Sequence, residues 1–425
     1  MPPKKALNPV LTSSHSHSYV SQSGLAAVLK SIKEHGLPET ASRAGIKRAR
    51  EAALPCELWT SVKVEMEEGP CKEIPLVNPC GLLQYMVSEV ASFADFFAAK
   101  LQEHPNSQAT PWSISMYSDE IIPGNALKPR NDRKLTAFYW SFGELDSAVG
   151  HEDLWNHLVA VRSSVMRSMK STWSQLFRLA CSAFFQDPLD VSKGLALNIK
   201  GHGTRLFWAK IGLVVGDEPS LKGCWSCKGS SGTLPCLYCK NVTLESLQVA
   251  QNDVTGYFVP HTETDVSKWI LQDDNTIIQN AVALHQQFGQ VSKASFSRSE
   301  MALGLQYAPQ GALWCPELLN HQLHSGPITV TQFDYMHIYF VSGVWNTETG
   351  LLLQAIKDVV TVAEADRFLK GFVWPDQWNS RGITGKRCLE KFVADGSAVA
   401  CSASEGLCLY SVFRLLVVAA LLNSQ

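Results

Sequence analysis

The sequence predicts an α/β protein, and three observations carry the prediction. "PWSISMYSDEIIPGN", residues 111–125, alternates Trp112, Ile114 and Met116 with Ser113, Ser115 and Tyr117, reaches Asp119, and stops at a Pro-Gly turn. Alternation with period two is the signature of a half-buried strand. "TRLFWAKIGLVVGDEPSLKG", residues 204–223, repeats the device with an apolar strand, Asp217 at its end and a proline turn. Between them, Leu154, Leu158, Val161, Val165, Met169, Trp173, Leu176 and Ala180 recur at steps of three and four, predicting one long helix over 151–186 that Asp187-Pro188 ends.

Taken in order, residues 1–18 form a polar tail with the composition of disorder. Residues 19–53 read as a small basic helical region of two short helices, the second carrying Arg43, Lys47, Arg48 and Arg50. Eight Lys/Arg stand against three Glu in residues 1–53, whereas the whole chain of 425 residues has a net charge of −2. That balance excludes a uniformly basic nucleic-acid binder and leaves a basic head on a mildly acidic body. Two readings of the head stay open: a helix-turn-helix contacting DNA phosphates, or a solvated helix or nuclear-import patch.

Residues 54–110 read as a proline-rich linker followed by a helix to about residue 104. Residues 111–223 form the first part of the core, with "RKLTAFYWSFGEL", residues 133–145, as a further strand. Lys128, Arg130, Arg133 and Lys134 lie just after the first acid, either as phosphate contacts or as a solvated turn. No apolar signal region follows the opening MPPKK, so the chain is not read as secreted. The apolar stretch "GLCLYSVFRLLVVAALLNSQ" carries Arg414 in its middle and predicts a buried helix rather than a membrane span. An apolar helix needs something to pack on, so residues 331–425 are expected to be a helical continuation of the core that is incomplete.

Four of the twelve cysteines crowd into "GCWSCKGSSGTLPCLYCKN" as Cys224-x2-Cys227 and Cys236-x2-Cys239. Two such pairs can present four thiolates to one structural Zn²⁺, a zinc knuckle over residues 224–240. A mixed set, with Cys236 and Cys239 joined by a distant histidine such as His261, also satisfies the chemistry, and four free thiols are the bland alternative. Residues 241–330 follow as an insertion. "TQFDYMHIYFVSGVW", residues 331–345, then places Asp334 and His337 one helical turn apart, able to brace each other or to bind a metal.

A strand with an acid, further strands, a long helix and a second strand with an acid is the order of a ribonuclease-H-like core. In such a core two carboxylates converge on Mg²⁺ or Mn²⁺, which take hard oxygen ligands. The landmarks "YSDEIIPGN", "GDEPSLKG" followed by "PCLYC", and "FDYMH", in this order, resemble the core of DDE-type transposases, above all the CACTA/Plavaka group. The likeness spans roughly residues 111–345. It implies a ribonuclease-H-like fold with helical and zinc-knuckle insertions, and cutting and joining of DNA with two divalent ions held by Asp119 and Asp217. It also implies a nuclear protein that works on DNA, commonly as a homo-oligomer, and no membrane. Such enzymes need a third acid on a later helix, for which Glu405 in "CSASEGLCLYSVF" is the best-placed residue; Glu348 and Glu364 are nearer. A truncated or degenerate copy that lacks this acid would keep the fold without the activity; the alternative reading is a non-catalytic, zinc-stabilised protein that is structural or binds DNA through its basic head.

Overall fold

The computed structural model describes residues 58–121, 134–341, 343–376, 384–390 and 401–423, together with residues 30, 392 and 399. The chain divides into two compact units, residues 1–56 and 57–425, and the fold below is that of the second. The basic helical region, with Arg43, Lys47, Arg48 and Arg50, lies outside the described residues, as do Lys128, Arg130 and Arg133.

Residues 54–110, expected as linker and helix, build part of the core. β1 (Trp59–Val64) and β2 (Lys72–Val77) pair antiparallel. α1 (Pro79–Glu89) and α2 (Ala91–Glu103) follow, and Val90 in extended conformation breaks what the sequence predicted as one helix. α2 buries Phe97 against Trp112 and Phe207, with ring centroids 5.2 and 5.5 Å away. This aromatic packing anchors the start of the strand that carries Asp119.

That strand is β3 (Trp112–Ile121), as the period-two pattern predicts. β4 (Leu135–Phe142) pairs antiparallel with it, and β5 (Asn156–Arg162) pairs antiparallel with β4. β5 corrects the expected 151–186 helix. Leu158, Val159 and Val161 are buried there, and the steps of three and four hid a β-branched edge strand that pairs with the preceding strand β4. The helical part survives as α3 (Thr172–Ser182), which buries Leu176, Phe177, Ala180 and Cys181.

The predicted strand over 204–223 is also divided. β6 (Leu195–Ile199) and β7 (Gly203–Phe207) make a separate hairpin, and only β8 (Ala209–Gly216) joins the main sheet, followed by α4 (Glu218–Cys224). β9 (Val242–Thr243) and β10 (Val259–Pro260) form a small parallel pair beside the second CxxC. α5 (Asp274–Gln287) and α6 (Lys293–Leu303) belong to the 241–330 segment, and Ile277, Ala281 and Leu284 join the main hydrophobic core. β11 (Thr331–Phe333) then returns to the sheet.

The result is a five-stranded mixed sheet in the order β11-β8-β3-β4-β5. β11, β8 and β3 run parallel, while β4 and β5 are successively antiparallel. One face is packed: Ile114, Met116, Phe138, Trp140 and Val214 are buried, and Phe138 meets Trp173 and Phe177 at 6.0 and 6.2 Å. The other face, with Tyr117, Tyr139, Leu213 and Val215, is only half-buried.

α7 (Tyr335–Phe340), α8 (Val344–Ala355), α9 (Val362–Gly371) and α10 (Ala403–Asn423) assemble a second hydrophobic cluster around Trp345, Trp374, Leu409 and Phe413. The apolar C-terminal stretch is thus a packed helix on one side. Among the described residues, no helix is long and apolar enough to cross a membrane.

Candidate metal centre

Register decides what the strand-end acids do. Ser118 of β3 pairs with Gly216 of β8, and Gly216 pairs with Phe333 of β11, so three residues stand in one row across adjacent parallel strands. The next residue on each strand is an aspartate: Asp119, Asp217 and Asp334. Asp217 (φ −70°, ψ 165°) and Asp334 (φ −62°, ψ 118°) are still extended, so the alternation of faces carries past the strand ends. With Ser118, Gly216 and Phe333 on the packed face, the three aspartates share the open one. Gly216 leaves room for the Ser118 and Ser220 hydroxyls: a Cβ there would lie 3.1 Å from Ser220 Oγ and 3.3 Å from Ser118 Oγ, a tight fit.

Each aspartate is held differently. Asp119 Oδ1 accepts from the Glu120 backbone N–H at 2.7 Å. Asp217 caps α4, with Oδ1 accepting from Ser220 N at 2.8 Å. Asp334 caps α7, with Oδ1 accepting from Met336 N at 2.8 Å, while Oδ2 pairs with His337 Nδ1 at 2.8 Å and accepts from Tyr117 Oη at 3.4 Å. The Asp334–His337 pair is therefore a brace across the first turn of α7.

The charges are felt across the cluster. Burial first, and then the negative charges of Asp217 and Asp334, raise the Asp119 carboxyl above the ordinary aspartate range, against the Glu120 N–H and His337, which favour the carboxylate. Burial and the same acids, Asp119 and Asp334 foremost, push the Tyr117 phenol up. No described lysine or arginine forms an ion pair with any of the three aspartates; His337 is the partner of Asp334. Half-buried hard oxygens, one of them on a carboxyl raised by burial and then by its neighbours' charges, fit a divalent cation, which would offset both effects. Their oxygens do not all lie within 4.8 Å of one another; among the described residues only Glu103, His104 and Asp146 form such a group. In that exposed group Lys100 Nζ already bonds Glu103 at 2.6 Å and Asp146 at 2.9 Å, so an ammonium supplies the cation.

Glu405 is not brought to the aspartates. It sits at the start of α10, where Oε2 accepts from Ser402 N at 2.9 Å and from Ser402 Oγ at 2.8 Å, and its own N–H donates to Ser402 Oγ at 3.3 Å. That is a capping box, a sufficient structural reason for an acid there. Glu364 plays the same part at the start of α9 with Thr361. The residue that joins Asp119 and Asp217 is Asp334. Its signal was present, since "VTQFD" is a third β-rich run ending on an aspartate, but at three residues the strand is too short to declare itself by alternation.

Lys134 pairs with Glu120, one residue beyond Asp119 and on the packed side of β3. The two residues line a cavity of about 460 Å³ with Arg167 and Trp173.

The cysteines separate. Cys224, the last residue of α4, is fully buried, and burial pushes its thiol up. Cys227, Cys236 and Cys239 lie outside the sheet. Burial pushes Cys227 up to about 12, while the adjacent Cys239 thiol, and the Tyr238 N–H that donates to Cys236 Sγ at 3.3 Å, lower Cys236. Bridges from Cys227 to Leu305 and from Cys239 to Leu271 tie this segment to the 241–330 region. His261 Nδ1 accepts from Glu245 N at 3.3 Å. The four thiols are not gathered around one point.

No family model matches this chain, and no curated protein matches it. The functional reading therefore stands on the residues and the fold.

Proposed function

We propose that this chain has a ribonuclease-H-like core and cuts and joins DNA by metal-dependent phosphoryl transfer, in the manner of the DDE-type transposases that its motifs resemble. The observation that carries the reading is the aligned row of Asp119, Asp217 and Asp334 on three adjacent parallel strand ends. The sheet order supports it: the first strand of the core lies at the centre, the second and third pair antiparallel on one side, and the fourth and fifth run parallel on the other. Asp334 takes the place of Glu405 as third acid in this proposal.

Asp119 and Asp217 would hold Mg²⁺ or Mn²⁺, which when bound activates the attacking oxygen and stabilises the leaving one. Asp334 completes the negative charge of the site, and His337 and Tyr117 fix its carboxylate. A structural Zn²⁺ would draw on Cys236 and Cys239, with Cys224 left in the core, and its remaining ligands would have to close in on loading. DNA as partner, a nuclear location and assembly of several copies follow from the same reading.

One observation favours a non-catalytic alternative. Both oxygens of Asp334 are already engaged by hydrogen bonds, as in a purely structural helix cap. Mn²⁺ binding followed by paramagnetic resonance, with cleavage of labelled DNA alongside, separates the two. The catalytic reading expects both to be lost in Asp119→Asn and Asp217→Asn. Wild-type Mn²⁺ binding in both variants overturns it.

A further inference from the structure

Beside the aspartates, the open face of the sheet carries a groove of about 500 Å³. Tyr117, Tyr139 and Trp155 line it with Leu213 and Val215. Tyr117 stands edge-on to Trp155, with centroids 6.0 Å apart at 66°, and 6.4 Å from the Tyr139 ring. Trp155 is held by its Nε1–H, which donates to Val149 O at 2.9 Å. The slot therefore offers aromatic faces on a rigid support, at a size ordinary for a small organic ligand.

Two features narrow the ligand. The charged residues lining the groove, Glu152 and Asp334, are both acidic, so it does not suit a phosphate. It suits a neutral, flat group that donates hydrogen bonds at its edge. The groove is also continuous with the metal centre, because Tyr117 lends its ring to the groove and its hydroxyl to Asp334. We propose that this groove takes one unpaired nucleobase of the DNA strand whose phosphate lies at the aspartates, with Glu152 accepting from the exocyclic amine of cytosine, adenine or guanine. The inference rests on reading the aspartates as a phosphoryl-transfer site. Stacking of a base on aromatic rings supplies affinity without help from phosphate contacts.

The test uses the full chain in Ca²⁺ at fixed salt, with short single-stranded oligonucleotides made abasic at one position at a time. Fluorescence anisotropy reads their affinity. One abasic position is expected to weaken binding by about 10- to 100-fold. Trp155→Ala and Tyr139→Ala should bind the intact strand as weakly as wild type binds the abasic one, while Tyr139→Phe keeps the discrimination. Thymine at that position should bind less well than cytosine, and Glu152→Ala should erase that preference. The proposal is overturned if no abasic position matters, if no single strand binds, or if the alanine variants weaken intact and abasic strands equally. The two readings fail separately. Base dependence in a protein whose Mn²⁺ binding ignores Asp119→Asn and Asp217→Asn sinks the phosphoryl-transfer site and leaves the groove. Mn²⁺ binding lost in those variants, without base dependence, does the reverse.

Discussion

Asp119→Asn should make the metal-free protein more stable and the metal-loaded protein less stable than wild type. Asp119 is the clean position for this, because Asp217 and Asp334 also cap helices and their loss would add a capping cost. Adjacent strands lie about 4.8 Å apart, and Asp119 and Asp217 leave neighbouring strands one residue past a paired row. Two charges about 5 Å apart at an effective dielectric of about 20 repel by roughly 3 kcal/mol. Rotation of the side chains apart, and water on the open face, reduce this to about 1–2 kcal/mol. For a unit of this size that is a rise of roughly 1–3 °C in melting temperature.

The sign follows from the raised Asp119 carboxyl. In the folded state it holds its proton to higher pH than in the unfolded chain, so wild-type stability falls as pH rises above the ordinary value of 3.8. The variant lacks that loss, and the difference between the two proteins should open through the same window. Adding Mn²⁺ to about a hundred times its dissociation constant stabilises wild type by about 2.7 kcal/mol and reverses the order. Scanning calorimetry on zinc-loaded protein, with and without Mn²⁺ and from acid to neutral pH, measures both halves. A metal-free variant less stable than wild type at neutral pH would refute the claim that these carboxylates repel one another at one site.

Further outcomes are expected. Asp334→Asn should weaken Mn²⁺ binding and abolish any cleavage, whereas Glu405→Gln, which keeps an oxygen for the capping box, should leave both of these and the stability measured by denaturant titration intact. Mn²⁺ affinity should fall on acidification from a higher pH than an unperturbed aspartate would give, because protons compete for Asp119 above 3.8; resonance titrations across pH measure this. Cys236→Ser should lower the zinc content found by atomic absorption, and Cys224→Ser should leave it unchanged. Phe177→Ala, which opens a cavity beneath β4, should cost about 3–5 kcal/mol in the same denaturant assay.

By itself the sequence determined the strands that matter most. Local alternation and a proline stop are enough to place Asp119 at the end of β3 and Asp217 after β8, because a strand's two faces are written in every second residue. The apolar C-terminal helix was legible for a similar reason, since its side chains pack along one continuous stretch. Tertiary structure alone decided the rest. β5 reads as helix until β4 is present to pair with it, as strand propensity depends on packing against neighbouring strands. Only the fold shows that Cys224 is buried in the core and that Glu405 caps its own helix with Ser402. That Asp334 falls in one row with Asp119 and Asp217 could be found only by register. Asp334 lies more than a hundred residues from Asp217, and only the parallel pairing of β11 with β8 brings it into their row.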